Sequence, residues 1–151
     1  MLANKLRIAM VLALMGVASA CGSAPSPTLV DITFKAAPDV NPDPSGRPSP
    51  IFVRYYQLGA TSAFTTADYF QLHDSEAAVL GKALLDRQEL PLAPGASQTI
   101  SIEAKPGTTA IGIAAAYRDI SNAQWRAQAP VAAGKKTTLE VQLGKLAVSV
   151  K

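Results

Sequence analysis

Three observations predict an all-β fold, a two-sheet antiparallel β-sandwich of about eight strands. Short β-prone runs recur at near-regular spacing along the 151 residues, and in several of them apolar and polar side chains alternate strictly. The runs are separated by Pro, Gly, Asn and Ser breaks of the kind that end strands. No regular exchange of strand and helix occurs, which argues against a doubly wound parallel sheet. A single helical insertion is expected, between strands 2 and 3.

The first strand reads Val30-Asp31-Ile32-Thr33-Phe34-Lys35, with Val30, Ile32 and Phe34 on one face and polar residues on the other. That period of two marks a half-buried strand. Ala37 to Pro50 differs in kind, because five of the chain's 11 prolines, Pro38, Pro42, Pro44, Pro48 and Pro50, fall within it. Proline has no N–H to give a ladder and clashes inside a helix, so this segment is a loop. It is long for a link between two strands, and long loops in compact domains tend to be functional or disordered.

Ile51 to Leu58, IFVRYYQL, is a strongly β-prone second strand. The period then changes. Phe64, Ala67, Phe70 and Leu72 suit a short helix with Thr65 or Thr66 as N-cap, and Asp74 or Ser75 caps a second through Leu80, ended by Gly81. Leu85 to Leu92 returns to strand, and Pro94-Gly95 turns it. Further strands are expected over Thr99 to Ala104, Ala110 to Tyr117, Gln124 to Val131, Thr137 to Leu143 and Leu146 to Val150, broken at Pro106-Gly107, Ser121-Asn122, Gly134 and Gly144. Alternation assigns Val30, Ile32, Phe34, Val53, Tyr55, Ile100, Ile102, Ile111, Ile113, Leu139, Val141 and Val148 to the core.

The chain opens on a short head carrying Lys5 and Arg7, continues with the apolar run Ile8 to Val17, and reaches Ala18-Ser19-Ala20-Cys21. This is the order of a secretory signal peptide over residues 1–20, with a core too short to span a bilayer stably. Small residues before the chain's single cysteine resemble the bacterial lipobox, although Ala18 stands where that pattern usually has Leu. The resemblance implies that Cys21 carries a covalent diacylglycerol and an acyl chain; the alternative is ordinary cleavage after Ala20 with Cys21 a free thiol. Gly22 follows, not the aspartate that holds enteric lipoproteins at the inner membrane. The implied location is therefore the inner leaflet of the outer membrane, lipid-anchored and facing the periplasm. Residues 21–27 read as a linker and 28–151 as the β-sandwich domain.

Removing residues 1–20 leaves 131, one domain's worth, and leaves 12 basic residues against 11 acidic ones, because Lys5 and Arg7 go with the signal. A net charge of +1 gives no electrostatic footprint for nucleic acid or an anionic membrane. With one cysteine there is no internal disulfide, so packing alone must stabilise the domain.

The residues offer little for catalysis. His73 is the only histidine and is expected as an exposed helix residue. Gly95-Ala96-Ser97-Gln98-Thr99 lacks the last glycine of a nucleophile elbow and precedes a strand, which favours a polar turn. Asp68, His73, Asp74 and Glu76 are near one another, but without a second nitrogen or sulfur ligand they make a poor metal set. Arg54, Arg118 and Arg126 interrupt apolar strands, either as the solvent side of a sheet or as a surface that meets a partner. Trp125 is expected in the core.

The order of these features, with VRYYQL (53–58), the Phe-rich insertion FTTADYF (64–70), the turn LPLAPG (90–95) and IGIAAAYRD (111–119) before Trp125-Arg126, resembles the type VI secretion outer-membrane lipoprotein family, TssJ or SciN. The resemblance spans the mature chain. It implies a transthyretin-like sandwich of two four-stranded sheets, no enzymatic activity, no small-molecule substrate and no metal. It also implies that the domain binds the periplasmic C-terminal region of TssM, and through TssM is linked to TssL. The family's main contact is the loop joining the first two strands, which maps onto Asp39, Val40, Asn41, Pro42, Asp43, Pro44, Ser45, Gly46, Arg47 and Pro48. Prolines restrict that loop before docking, so less entropy is lost. Asp39, Asp43 and Arg47 would give polar specificity, and Val40 with the prolines apolar contact. Its replacement by a Gly-Ser linker is expected to leave the core untouched. The competing readings are a periplasmic ligand-binding or hydrolytic sandwich with the helical insertion as a lid, and a chaperone-like factor that binds strands by edge addition.

Overall fold

The computed structural model describes residues 26–151; the signal segment and Cys21 lie outside the described residues. Eight strands are present: β1 (Leu29–Ala36), β2 (Ile51–Leu58), β3 (Leu84–Leu92), β4 (Ser97–Glu103), β5 (Ala110–Ala115), β6 (Arg126–Pro130), β7 (Lys136–Leu143) and β8 (Val148–Val150). Between β2 and β3 stand helices α1 (Ser62–Thr66) and α2 (Tyr69–Leu80) and a 3-10 turn, Gly81–Ala83. The strands form two four-stranded sheets, ordered β4-β1-β7-β8 and β3-β2-β5-β6. This is the expected sandwich, with its helices at the expected point. One pair departs from the antiparallel rule: β1 and β7 run parallel, with Ile32 opposite Leu139 and Phe34 opposite Val141.

The main core lies between the sheets. Val30, Ile32, Phe34, Val53, Ile111, Ile113, Val141 and Val148 are fully buried, and Tyr55 and Leu139 nearly so, as their alternation requires. Ile100 and Ile102 are only half-buried, because β4 is an edge strand with one neighbour. A second, smaller core covers the outer face of the other sheet: Tyr56, Leu58 and Ala114 meet Phe64, Ala67, Leu72 and Leu80 of the insertion. The sheet β3-β2-β5-β6 is thus packed on both faces, which explains why β2 and β5 read as almost continuous apolar runs.

The helix boundaries differ from the expected ones. Thr65 and Thr66 do not cap α1; their hydroxyls donate back to the Thr61 and Ser62 carbonyls, at 2.9 and 3.1 Å. The N-cap of α2 is Asp68, whose carboxylate accepts from the Gln71 N–H at 2.8 Å while the Gln71 side chain accepts from the Asp68 N–H at 3.2 Å. That is a capping box, spelled Asp-x-x-Gln in the sequence. The second cap expected at Asp74 or Ser75 appears instead as a kink within α2, where Ser75 has φ −143° and ψ 36°.

Candidate functional site

Residues 37–50 leave the end of β1 and cross the top of the sandwich. The base of this loop is fixed to the core. Val40 is fully buried and Asn41 is 3% exposed. Asn41 takes a left-handed backbone, φ 49°, a conformation that asparagine tolerates better than most residues. Its N–H donates to the Lys145 carbonyl at 3.1 Å. Its side-chain amide donates to the Pro50 carbonyl at 2.8 Å, and its Oδ1 accepts from the Arg118 N–H at 2.8 Å. Ser49 closes the base by donating its N–H to the Val40 carbonyl at 3.1 Å.

Beyond that base the loop is an exposed finger. Asp43-Pro44-Ser45-Gly46 is a turn in which the Gly46 N–H donates to the Asp43 carbonyl at 2.8 Å, and Gly46 has φ 82°. Asp43 holds the finger shut. Its Oδ1 accepts from the Ser45 N–H (2.9 Å), the Ser45 hydroxyl (2.6 Å) and the Arg47 N–H (3.0 Å), and its Oδ2 from Arg47 Nε (2.9 Å). These donors, the Ser45 hydroxyl foremost, pull the Asp43 carboxyl down to about 2. The Arg47 guanidinium is otherwise open to solvent, its side chain 81% exposed.

The structure therefore divides the ten sequence-predicted residues. Asp39, Pro44, Ser45, Gly46, Arg47 and Pro48 are exposed, and Pro42 and Asp43 are half-exposed. Val40 and Asn41 are not available for contact: Val40 is turned into the core and Asn41 spends its polar groups on neighbouring loops. The expectation that the whole of 39–48 can be replaced without touching the core is corrected accordingly. Arg118 joins the same end of the molecule, exposed, one residue past buried Tyr117. The asparagine bridge between them was not foreseeable from spacing, but the Asp-Pro-x-Gly turn at 43–46 was, since Asp at the first position, Pro at the second and Gly at the fourth is a turn signature.

Arg54 and Arg126 face outward from their sheet, but not into solvent or toward a partner surface. Arg54 bonds Glu89 at 2.6 Å and the His73 carbonyl at 2.8 Å, pinning α2. Arg126 donates to the Phe64 and Ala67 carbonyls at 3.0 and 2.5 Å, tying down the end of α1. Its guanidinium also lies 4.7 Å from the centre of the Trp125 ring. Trp125 is half-buried rather than fully in the core, and Tyr69 meets it edge-on at 5.2 Å. Phe52, Tyr56, Tyr69, Leu72, Ala114 and Ala116 border a cleft of about 170 Å³ beside α2. Arg54 and Glu89 also line it and bond each other, and the Arg54 hydrogen bond holds the Glu89 carboxyl below its usual range.

The residues considered for chemistry do not assemble. His73 is exposed and pairs with Asp74 at 2.8 Å, whereas Ser97 opens β4 in the opposite sheet. Asp68 caps α2, and Glu76 is taken by Arg87 at 2.8 Å and Tyr56 at 3.1 Å. Among the described residues no group of three or more potential metal ligands gathers.

Comparison with known proteins agrees with the fold and the order of its parts. Residues 28–146 match the family described as type VI secretion lipoprotein, VasD, EvfM, TssJ. The chain is similar to the crystal structure of the T6SS lipoprotein TssJ1 from Pseudomonas aeruginosa, with 36% identity, a TM-score of 0.80, and 83% of this chain and 95% of that one covered. It shares its fold with Serratia marcescens Lip, a membrane-bound component of the type VI secretion system, at 24% identity and a TM-score of 0.76, covering 83% of this chain and 96% of Lip. A chain in the structure of the T6SS protein TssM C-terminal domain from EAEC has the same fold at 19% identity and a TM-score of 0.70, covering 82% of this chain and 98% of that one. Curated proteins gave no match. With most of the sandwich inside the family match, and a relative more than a third identical across it, the chain belongs to the type VI secretion lipoprotein family of TssJ (SciN).

Proposed function

We propose that this protein is a non-enzymatic tether. Its lipid, a diacylglycerol and an acyl chain on Cys21, holds it in the inner leaflet of the outer membrane, facing the periplasm. The exposed finger of the β1–β2 loop, with Asp39, binds the periplasmic C-terminal region of TssM and so links the outer membrane to TssM and, indirectly, TssL.

The observation that carries this reading is the placement of the two ends of β1. The described chain enters β1 at Leu29, and the loop leaves it after Ala36. Eight residues of strand separate the two ends by about 23 Å at roughly 3.3 Å per residue. A lipid at Cys21 therefore leaves the finger on the side away from the membrane, where a periplasmic partner would meet it. The finger is already shaped by Asp43, so docking costs little further ordering. A similar chain occurs in the structure of the TssM C-terminal domain, which supports the choice of partner.

The test is Cys21→Ser in the full-length chain, followed by palmitate labelling and membrane fractionation. The tether requires that the variant lose the label, leave the outer-membrane fraction and fail to recover TssM in pull-downs of membrane complexes. A variant that still fractionates with the outer membrane and supports secretion would remove the reading.

A further inference from the structure

The end of the sandwich opposite the finger has its own composition. Four connections meet there: 59–61, 81–83, 104–109 and 131–135. Hydrogen bonds join them to one another and to the start of the described chain. Gly59 N–H donates to the Ala83 carbonyl, Thr109 N–H to Leu58, Val131 N–H to Thr109, Ala104 N–H to Thr28 and Leu29 N–H to Lys135, all within 3.0 Å. Inside the fold, buried Gln57 accepts from the Lys105 N–H at 2.6 Å and the Thr108 hydroxyl at 3.2 Å, fixing the 104–109 connection. These four connections contain Lys82, Lys105 and Lys135 and not one Asp or Glu.

All three lysines are exposed, and none is in an ion pair among the described residues, whereas the neighbouring Lys136 is paired with Asp31 at 2.7 Å. Leu29, 41% exposed, lies at the same end. At the finger end Asp39, Asp43 and Asp119 are matched by Arg47, Arg118 and Lys145, whereas beside the three lysines of this end stands one exposed acid, Glu103, the last residue of β4. The loops at this end of β1 thus carry a net positive charge that those at the other end lack, although the net charge of the sandwich is near zero.

We propose that this lysine end docks on a surface of anionic phospholipid headgroups and sets the orientation of the domain on its membrane. The proposal rests on the lipid anchor at Cys21. The chain identifies the occupant by its length: from Cys21 to Ser26 five residue steps can span at most about 17 Å. Ser26 lies against Gly134 at this end, so the bound holds the lysine end within about 17 Å of the bilayer, close enough for it to settle into a surface potential that falls off over about 8–10 Å. A lysine near an anionic leaflet is attracted by an amount equal to roughly a fivefold change in partitioning. Three unpaired lysines on one short-tethered end match that surface, and docking there points the finger away from it.

The experiment uses the mature protein as purified from cells that express the full-length chain, reconstituted into vesicles of phosphatidylcholine alone or mixed with phosphatidylglycerol, separated by flotation and read by amide hydrogen exchange. Exchange at 104–109 and 131–135 should slow at least fivefold in the anionic vesicles relative to the neutral ones at low salt. It should be unchanged at 43–47. The triple variant Lys82→Gln, Lys105→Gln, Lys135→Gln should lose the difference and keep its thermal unfolding temperature. Equal exchange in the two vesicle types, or protection retained by the triple variant, overturns the proposal. So does a triple variant with unchanged vesicle protection but lost complex assembly, which assigns the lysines to an acidic protein. Failure to float with either vesicle overturns the anchor itself and the docking with it, and is distinguished by the absence of any vesicle-bound protein.

Discussion

The side chain of Asn41 accepts a hydrogen bond of 2.8 Å from the backbone N–H of Arg118, 77 residues further along the chain. With its other two bonds, to Pro50 and Lys145, Asn41 joins three loops at one end of the sandwich. The exposed finger stands on this joint, so the geometry of the finger and the position of Arg118 are set by the same residue.

Asn41→Ala should therefore destabilise the domain by about 2–5 kcal/mol. Removing the amide leaves buried backbone groups unpaired, about 1–3 kcal/mol, and alanine is strained in the left-handed region by about 1–2 kcal/mol. Asn41→Gly relieves the strain and should recover roughly 1 kcal/mol of the loss in denaturant unfolding. Equal stability of the two variants would show that the strain is absent.

The burial of Val40 sets where the loop can be cut. Replacing 42–48 with a Gly-Ser linker removes only surface residues and should leave the unfolding midpoint close to that of the parent. Extending the replacement to 39–48 also removes Val40 and Asn41 and should cost at least about 2 kcal/mol more. The shorter replacement should still weaken TssM binding at least tenfold, about 1.4 kcal/mol, by calorimetry. Unchanged affinity with unchanged stability would move the contact away from the finger.

Strand alternation made most of this fold readable, because Val30, Ile32 and Phe34 each carry the same instruction in local sequence. The helical insertion was less legible: Phe64 and Phe70 share an apparent period, yet Phe64 is buried and Phe70 is 61% exposed, since Asp68 starts a new helix between them. The polarity of Arg54 and Arg126 was visible, but not that helices lie over them. The parallel pairing of β1 and β7 has no local signature. In the candidate site, the proline-rich loop was evident from proline's chemistry, whereas the burial of Val40 depends on contacts from distant strands. The lysine end was hidden for a similar reason: positions 82, 105 and 135 meet only in the fold, and a net charge averages them away.

Gly112 gives a test of the second core. It lies on the outer face of β5 opposite Tyr56, and a Cβ there would fall 2.9 Å from both Leu58 Cδ1 and Phe64 Cζ. Phe64 needs that gap to reach the sheet and meet Tyr56, with ring centres 5.7 Å apart. Gly112→Ala should cost about 1–3 kcal/mol through overpacking, and Gly112→Val more. Pairing Gly112→Ala with Phe64→Leu, which frees space, should return part of the loss. A neutral Gly112→Ala would mean that α1 moves freely on the sheet.

The clamp at Asp43 makes the finger sensitive to acid in a defined window. An unfolded aspartate titrates near 4, and the folded carboxyl is lowered to about 2, chiefly by the Ser45 hydroxyl and the Arg47 backbone. A lowered folded value means that the clamp's contribution is complete above pH about 4. It declines as pH falls below that and is lost through about 2. Amide chemical shifts of Ser45 and Arg47 should therefore titrate together with a midpoint near 2. Asp43→Ala should abolish that transition and speed amide exchange at both residues at neutral pH. It should also weaken TssM binding roughly two- to thirtyfold, because the partner then has to order the finger and meets Arg47 unfixed. Arg47→Ala leaves the Ser45 bonds in place, so it should weaken binding while preserving most of the amide protection. If Asp43→Ala loosens the finger and affinity does not change, the finger is a structural turn and the partner contact lies elsewhere.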